Sequence, residues 1–325
     1  YASFGFKVQD SGSSNNEALS ASTITLDVTA VNDAPTGADK TLTLAEDGSI
    51  ALSAADFGFA DVDGHSLTGV KITSLPTAGT LQLNGVDVTA NQVIAVANIG
   101  QLVFAPAANA NGTGYASFGF KVQDSGSSNN EALIASTITL DVTAVNDAPV
   151  NTVPGAQSTN EDTVKVISGL SVSDIDAASG AITVTLGVTQ GTLTAASSTG
   201  VTIGNNGTAT ITLSGTVSAI NTLLALANGL IYAPAANYNG SDTLTMTTND
   251  DGNTGSGGSL TDSDTVQITV ISVNDAPVVN AQGTNTAYTE NAPALAANSA
   301  ITLSDVDSAN LTGATVSISS GLTAG

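Results

Sequence analysis

Along most of the chain, apolar and polar positions alternate with a period of two. Phe118, Phe120 and Val122 interleave with Gly119, Lys121 and Gln123. Ile138, Leu140 and Val142 follow the same rule, as do Val266, Ile268 and Val270. Successive side chains of a strand point to opposite faces, so the alternation predicts half-buried strands. Asn84-Gly85 separates Leu81/Leu83 from Val86/Val88, the signal of a two-residue hairpin, and Asn206-Gly207 sits likewise between Ile203 and Ile211. One stretch departs from the rule. Ile220, Leu223, Leu224 and Ala227 are spaced for a helix, with Ser218 as its N-cap and Gly229 beyond its end.

Internal repeats set the organisation. Residues 1–35 and 115–149 are the same sequence except for Ser20 against Ile134, and Val-Asn-Asp-Ala-Pro recurs at 31–35, 145–149 and 273–277. With each proline as a fence, 36–149 and 150–277 read as complete units. Residues 1–35 read as the C-terminal part of a truncated repeat and 278–325 as the N-terminal part of another, so the chain is expected to be a window on a longer array. Units of this length, with many short strands and regular turns, predict an all-β fold of tandem antiparallel β-sandwich domains.

An acidic grammar repeats with the units. Glu-Asp comes early (Glu46-Asp47, Glu161-Asp162), weakened to Glu290-Asn291. Asp-x-Asp follows at Asp61/Asp63, Asp174/Asp176 and Asp305/Asp307, and Pro-Ala-Ala-Asn-x-Asn-Gly at 106–112 and 234–240. An aspartate ends the penultimate strand at Asp10, Asp124 and Asp250, and each unit closes on Asn32-Asp33, Asn146-Asp147 or Asn274-Asp275. These are hard oxygen donors, of the kind calcium takes six to eight of, whereas magnesium demands tighter octahedral geometry. In an extended segment the two outer residues of Asp-x-Asp face the same way and reach one ion. A single Asp-x-Asp is explained by the turn preference of aspartate; recurrence of the whole set at matching offsets favours a cation.

Composition narrows the classes. Five lysines stand against 28 acidic residues, with no arginine, a net charge of −23. Nucleic-acid binding needs a basic footprint and is excluded, as is docking on anionic lipid. The absence of cysteine removes disulfides, thiolate zinc sites and cysteine nucleophiles, and a single histidine removes multi-histidine zinc clusters. His65, directly after Asp-Val-Asp-Gly, reads as a solvated loop histidine beside the acidic set. No Gly-x-Ser-x-Gly elbow is present for serine catalysis. Paired carboxylates that repeat with the domain period fit a structural role better than a glycosidase site. No apolar run approaches the length of a membrane span. Tyrosines and phenylalanines are assigned to strand cores, Tyr232, Tyr238 and Tyr288 being best placed for exposure.

On these residues the chain resembles a known family. Tyr115 to Pro149 resembles the last two strands and linker of a cadherin repeat, and the units look like the cadherin-like and VCBS-type repeats of giant secreted, RTX-type bacterial adhesins. The resemblance implies an extended array of Ig-like/cadherin-like sandwiches with calcium (Ca2+) at each domain junction. Carried over residue by residue, the first junction would use Asn32, Asp33, Asp61, Asp63 and Asp124. The second would use Glu46, Asn146, Asp147, Asp174, Asp176 and Asp250, and the third Glu161, Asn274, Asp275, Asp305 and Asp307. Two departures point to fewer or weaker ions: the aspartate before Val-Asn-Asp is Ala30, Ala144 and Ser272 here, and the Asp-Arg-Glu motif is missing. The implied function is non-enzymatic, a calcium-rigidified stalk of an extracellular or cell-surface adhesin serving cell adhesion or biofilm. Its partners would be calcium and other copies of itself or a surface ligand bound outside this window. A segment of an extracellular filament or surface layer, or the accessory region of a secreted hydrolase, are the alternatives.

Overall fold

The computed structural model describes residues 1–281, 286–289, 291–298 and 300–317. It divides into two compact units, Tyr1–Val145 and Asn146–Gly325. Glu290, of the weakened Glu290-Asn291 pair, lies outside the described residues.

In the first unit a five-stranded sheet runs in the order Lys40–Ala45, Ser136–Thr143, Gly112–Asp124, Leu67–Ser74, Val93–Ala95. A four-stranded sheet runs Ile50–Ala51, Leu102–Ala105, Thr80–Leu83, Val86–Asp87. The predicted alternation sets what lies inside. Phe118, Phe120, Val122, Ile138, Leu140 and Val142 are buried, and they share one core with Leu81, Leu102 and Phe104 of the other sheet and with Leu52 just beyond its edge strand. Phe57 meets Phe120 edge to face at 4.8 Å. Each such side chain contributes about 1.5–3 kcal/mol by leaving water. Asn84 and Gly85 form the expected two-residue turn, both at positive φ (53° and 76°), between Thr80–Leu83 and Val86–Asp87. That geometry matches the twist of the flanking strands.

The second unit repeats the plan with a six-stranded sheet, Gln157–Asn160, Thr261–Ile271, Gly240–Asn249, Ala181–Gly187, Thr210–Thr216, Val201–Gly204. Its three-stranded counterpart is Lys165–Val166, Leu230–Pro234, Gly191–Ala195. Val266, Ile268 and Val270 are buried here as the pattern predicts.

Three details differ from the sequence reading. Each main sheet, otherwise antiparallel, carries one parallel edge: Lys40–Ala45 beside Ser136–Thr143, and Gln157–Asn160 beside Thr261–Ile271. Period-two patterning fixes the face of a strand but not its direction. The helix is Val217–Leu224, capped by Thr216, whose hydroxyl accepts from the Ala219 N–H at 3.2 Å; Ser218 lies inside it. The Asn206-Gly207 connection is longer than two residues, because Gly204 pairs with Thr212, and positive φ falls on Asn205 and Gly207. Asn206 instead spends its amide on the N–H and carbonyl of Ala195, at 2.8 and 3.0 Å.

Residues 1–35 form a hairpin, Ala2–Phe6 against Ser22–Leu26, in the register of its duplicate: Phe4 faces Ile24 as Phe118 faces Ile138. Identical side chains end in opposite environments. Phe4 is 51% exposed and Phe118 1%. A lone two-stranded hairpin has no second layer to bury its apolar face. Of the three tyrosines singled out, Tyr232 is fully buried, Tyr238 packs against the core and Tyr288 is exposed.

Candidate metal centres

Each closing Asn-Asp is fixed to the same partners. The backbone N–H of Asp33 donates to Asp63 at 2.7 Å, that of Asp147 to Asp176 at 2.6 Å, and that of Asp275 to Asp307 at 2.5 Å. The Asn32 amide donates to Asp124 at 3.2 Å and to the Ser128 carbonyl at 2.7 Å. Asn146 does the same toward buried Asp250, at 2.5 Å, and the Gly258 carbonyl, at 3.0 Å. Asn274 has no penultimate-strand aspartate in this chain; its amide turns to the neighbouring Asp275 carbonyl at 2.8 Å and the residue is exposed.

The Asp-x-Asp segments are bends, not extended strands, which corrects the geometric expectation. The first aspartate closes a turn on its own backbone. Asp174 accepts from Asp176 and Ala177, Asp305 from Asp307 and Ser308, and Asp61 from His65 at 2.9 Å. The middle residues, Val62, Ile175 and Val306, point to solvent. The turn role of aspartate is therefore compatible with a ligand role: one carboxylate oxygen serves the backbone, and the other is left over.

The early glutamates are buried against the start of each linker. Glu161 accepts from the Val273 N–H at 2.5 Å. In the first unit, Glu46 accepts from Val145 at 2.6 Å and from the Asn111 amide at 2.8 Å. The neighbouring Asp47 and Asp162 each hold the N–H of Asn109 or Asn237 at 3.0 Å. Pro-Ala-Ala-Asn-x-Asn-Gly thus acts as a brace. Asn109 and Asn237 both take φ near 55°, a conformation asparagine tolerates better than most residues.

The buried oxygen atoms left without a donor are what an ion would use. In the first cluster they include Asn32 Oδ1 and Asp61 Oδ2, in the second Asn146 Oδ1 and Asp174 Oδ2, and in the third Glu161 Oε2 and Asp275 Oδ2. Buried polar atoms are nearly always paired, so orphans recurring at corresponding places in the first two clusters call for an explanation. All are hard oxygen donors, the set that suits calcium. The residues present fit that ion.

Electrostatics differ between clusters. The His65 backbone N–H holds the Asp61 carboxyl below its ordinary value; burial opposes this, while the Asp63 backbone, the His65 ring and Asp124 reinforce it. Asp275 is pushed up, first by removal from water and then by Asp307, Asp162, Glu161 and Asp305. Four carboxylates therefore crowd a fifth. Asp162 was absent from the sequence-derived set, although an aspartate follows both Glu46 and Glu161.

The comparisons bear on these domains. Residues 32–137 match the bacterial Ig domain family. Among solved structures, the EC1-2 fragment of human protocadherin-24 is similar at 18% identity, over 74% of this chain and 100% of that one, with a TM-score of 0.39. Mouse cadherin-23 EC22-24 is similar at 19% identity, over 85% and 79% of the two chains, with a TM-score of 0.36. None of the curated proteins compared matches this chain.

Proposed function

We propose that this chain is a calcium-stiffened stalk segment of an extracellular bacterial adhesin, without catalytic activity. In this reading 36–149 and 150–277 are complete repeats and the flanking residues are parts of neighbouring ones. The observation that carries it is the donorless buried oxygens found near every Asn-Asp, the same pair in the first two clusters and a different pair in the third, where the linker N–H is already fixed to the second aspartate of Asp-x-Asp. Calcium bound there would tie a linker to the sandwich it adjoins and convert a flexible joint into a stiff one. Asn32, Asp33, Asp61, Asp63 and Asp124 would serve the first linker. Asn146, Asp147, Asp174, Asp176 and Asp250 would serve the second. Glu161, Asn274, Asp275, Asp305 and Asp307 would serve the third. The repeat period of the acidic set supports a mechanical role over a single active site, and the match to a bacterial Ig domain is consistent with the cell surface.

The test is calorimetry with calcium and with chelator, alongside elemental analysis. Binding to the folded state alone stabilises it by about 2.7 kcal/mol at a hundredfold excess over Kd. An unchanged melting temperature with no calcium retained refutes the reading. Scattering in calcium then checks stiffness: two-repeat and four-repeat proteins should differ nearly twofold in maximum dimension, and compact particles would refute the stalk.

A further inference from the structure

The three clusters are not equivalent. The first carries the chain's single histidine two residues after its Asp-x-Asp, where Asp174-Ile175-Asp176 and Asp305-Val306-Asp307 are followed at the same offset by Ala178 and Ala309. One carboxylate oxygen from each of Asp61 and Asp63 and a ring nitrogen of His65 all lie within 4.8 Å of one another. His65 Nδ1 is 3.8 Å from Asp61 Oδ1. That nitrogen is a buried atom with no hydrogen-bond partner, and the Asp61 side chain is only 1% exposed with its Oδ2 likewise unpartnered. A ring nitrogen held among carboxylates, with no proton donor or acceptor engaged, is the second sign of a ligand here beyond the acidic cluster itself.

We propose that Asp61, Asp63 and His65 form a site for a borderline divalent transition-metal ion, represented by zinc, with His65 Nδ1 as the discriminating ligand. Imidazole nitrogen suits zinc and its transition-metal neighbours, whereas calcium takes oxygen. Zinc lies about 2.0–2.2 Å from nitrogen and carboxylate ligands, so three donors spread over as much as 4.8 Å reach one ion by drawing together about 1 Å. Two carboxylates balance its charge, and a fourth position stays open to water. The half-exposed imidazole and the exposed Asp63 give the ion a path from solvent. The first linker then has a metal preference that the other two lack, and zinc competes there with any hard cation for Asp61 and Asp63. The inference rests on reading this cluster as a cation site, and not on calcium being its ion.

One histidine in the whole chain makes the test direct. With the full chain labelled with nitrogen-15 in histidine only, zinc chloride added alone to calcium-free protein should move the Nδ1 resonance to a metal-bound position, saturating at one equivalent and reversing with chelator. In titration calorimetry His65→Ala should weaken zinc binding at least about tenfold, since loss of even an outer partner of a metal ligand costs about 10–100-fold. Asp63→Asn should weaken it as well, with the far-UV spectrum unchanged. An unmoved resonance, coordination through Nε2 alone, or His65→Ala binding zinc as tightly as the parent overturns the proposal. Titrating the same protein with calcium separates the two readings: loss of calcium binding with the zinc response intact refutes only the calcium assignment.

Discussion

Replacing Glu161 with glutamine separates a ligand from a structural anchor. The carboxylate is 3% exposed; Oε1 accepts from the Val273 N–H at 2.5 Å, and Oε2 is buried with no donor. Glutamine keeps the shape and the bond to Val273, removes one of the charges that press on Asp275, and turns the orphan acceptor into a donor facing carboxylates. A buried unpaired polar atom costs about 1–3 kcal/mol. Relief of part of that cost should make Glu161→Gln more stable than the parent in chelator by about 1–2 kcal/mol, a rise of a few degrees in melting temperature for a unit of this size. In calcium the advantage is offset. Loss of a ligand that weakens binding about tenfold removes about 1.4 kcal/mol of the calcium-induced gain. Scanning calorimetry of both proteins in both buffers reads all four values. If the variant melts lower in chelator and its calcium-induced rise matches the parent's, Glu161 merely anchors Val273 and the ligand argument fails.

Other outcomes follow from single side chains. Asp174→Asn retains an Oδ1 that accepts from Asp176 and Ala177; it should lower the calcium bound by the chain on elemental analysis while leaving the chelator melt within about 1 kcal/mol, and unfolding of the 150–277 sandwich would place Asp174 in the core instead. Tyr232→Phe removes the hydroxyl that donates to buried Asp242 at 2.9 Å and should cost about 1.5–3 kcal/mol by urea denaturation, with a loss below 0.5 kcal/mol counting against that bond. Burial alone would raise the Asp242 pKa, but bonds from Thr189, Thr243 and Tyr232 hold it below its ordinary value. A depressed folded pKa contributes stability that is present above the unfolded value of about 3.9 and is lost as pH falls through the folded one. Acid titration should therefore show a steeper loss below about pH 4 in the parent than in Asp242→Asn, and parallel curves would refute the assignment.

The strands were legible because burial on one face of a sheet writes a period of two into the chain, as at Phe118–Val122 and Val266–Val270. Parallel edges were not, since direction leaves no trace in that period. The Thr216 cap was hidden by Ser218, an equally good capping residue two places on: both start the same apolar spacing, and only the preceding strand Thr210–Thr216 fixes where the helix begins. At the candidate site, recurrence located the carboxylates, and the structure brings Asn32 to Asp124, Asn146 to Asp250, and each linker N–H to its aspartate. Spacing did not reveal that Asp-x-Asp bends, because the bend depends on an Asx bond to the backbone rather than on hydrophobic pattern. Nor did it reveal Asn111 as the partner of Glu46 or Asp162 as a neighbour of Asp275, contacts made across 65 and 113 residues of chain respectively.

The charge balance carries the last step. Lys40 pairs with Asp56 and Lys71 with Glu131, while Lys121 donates to the Leu133 carbonyl, so these cations are committed away from the linkers. The groups that act on Asp275 are other carboxylates. Crowded carboxylates find relief in three ways: protonation, separation or a cation. Separation is opposed by the linker N–H bonds, which fix Asp63, Asp176 and Asp307 in place. Protonation would require the carboxyls to titrate near neutral pH, yet Asp61 is held below its ordinary value and stays ionised there. For the first cluster, positive charge from solution is the relief that the proposed cation would supply, at oxygen atoms left without a protein donor. The same backbone device recurs at the second and third clusters, where it again opposes separation, and Asp275, pushed up by burial and by its carboxylate neighbours, is a group that the proposed cation would relieve.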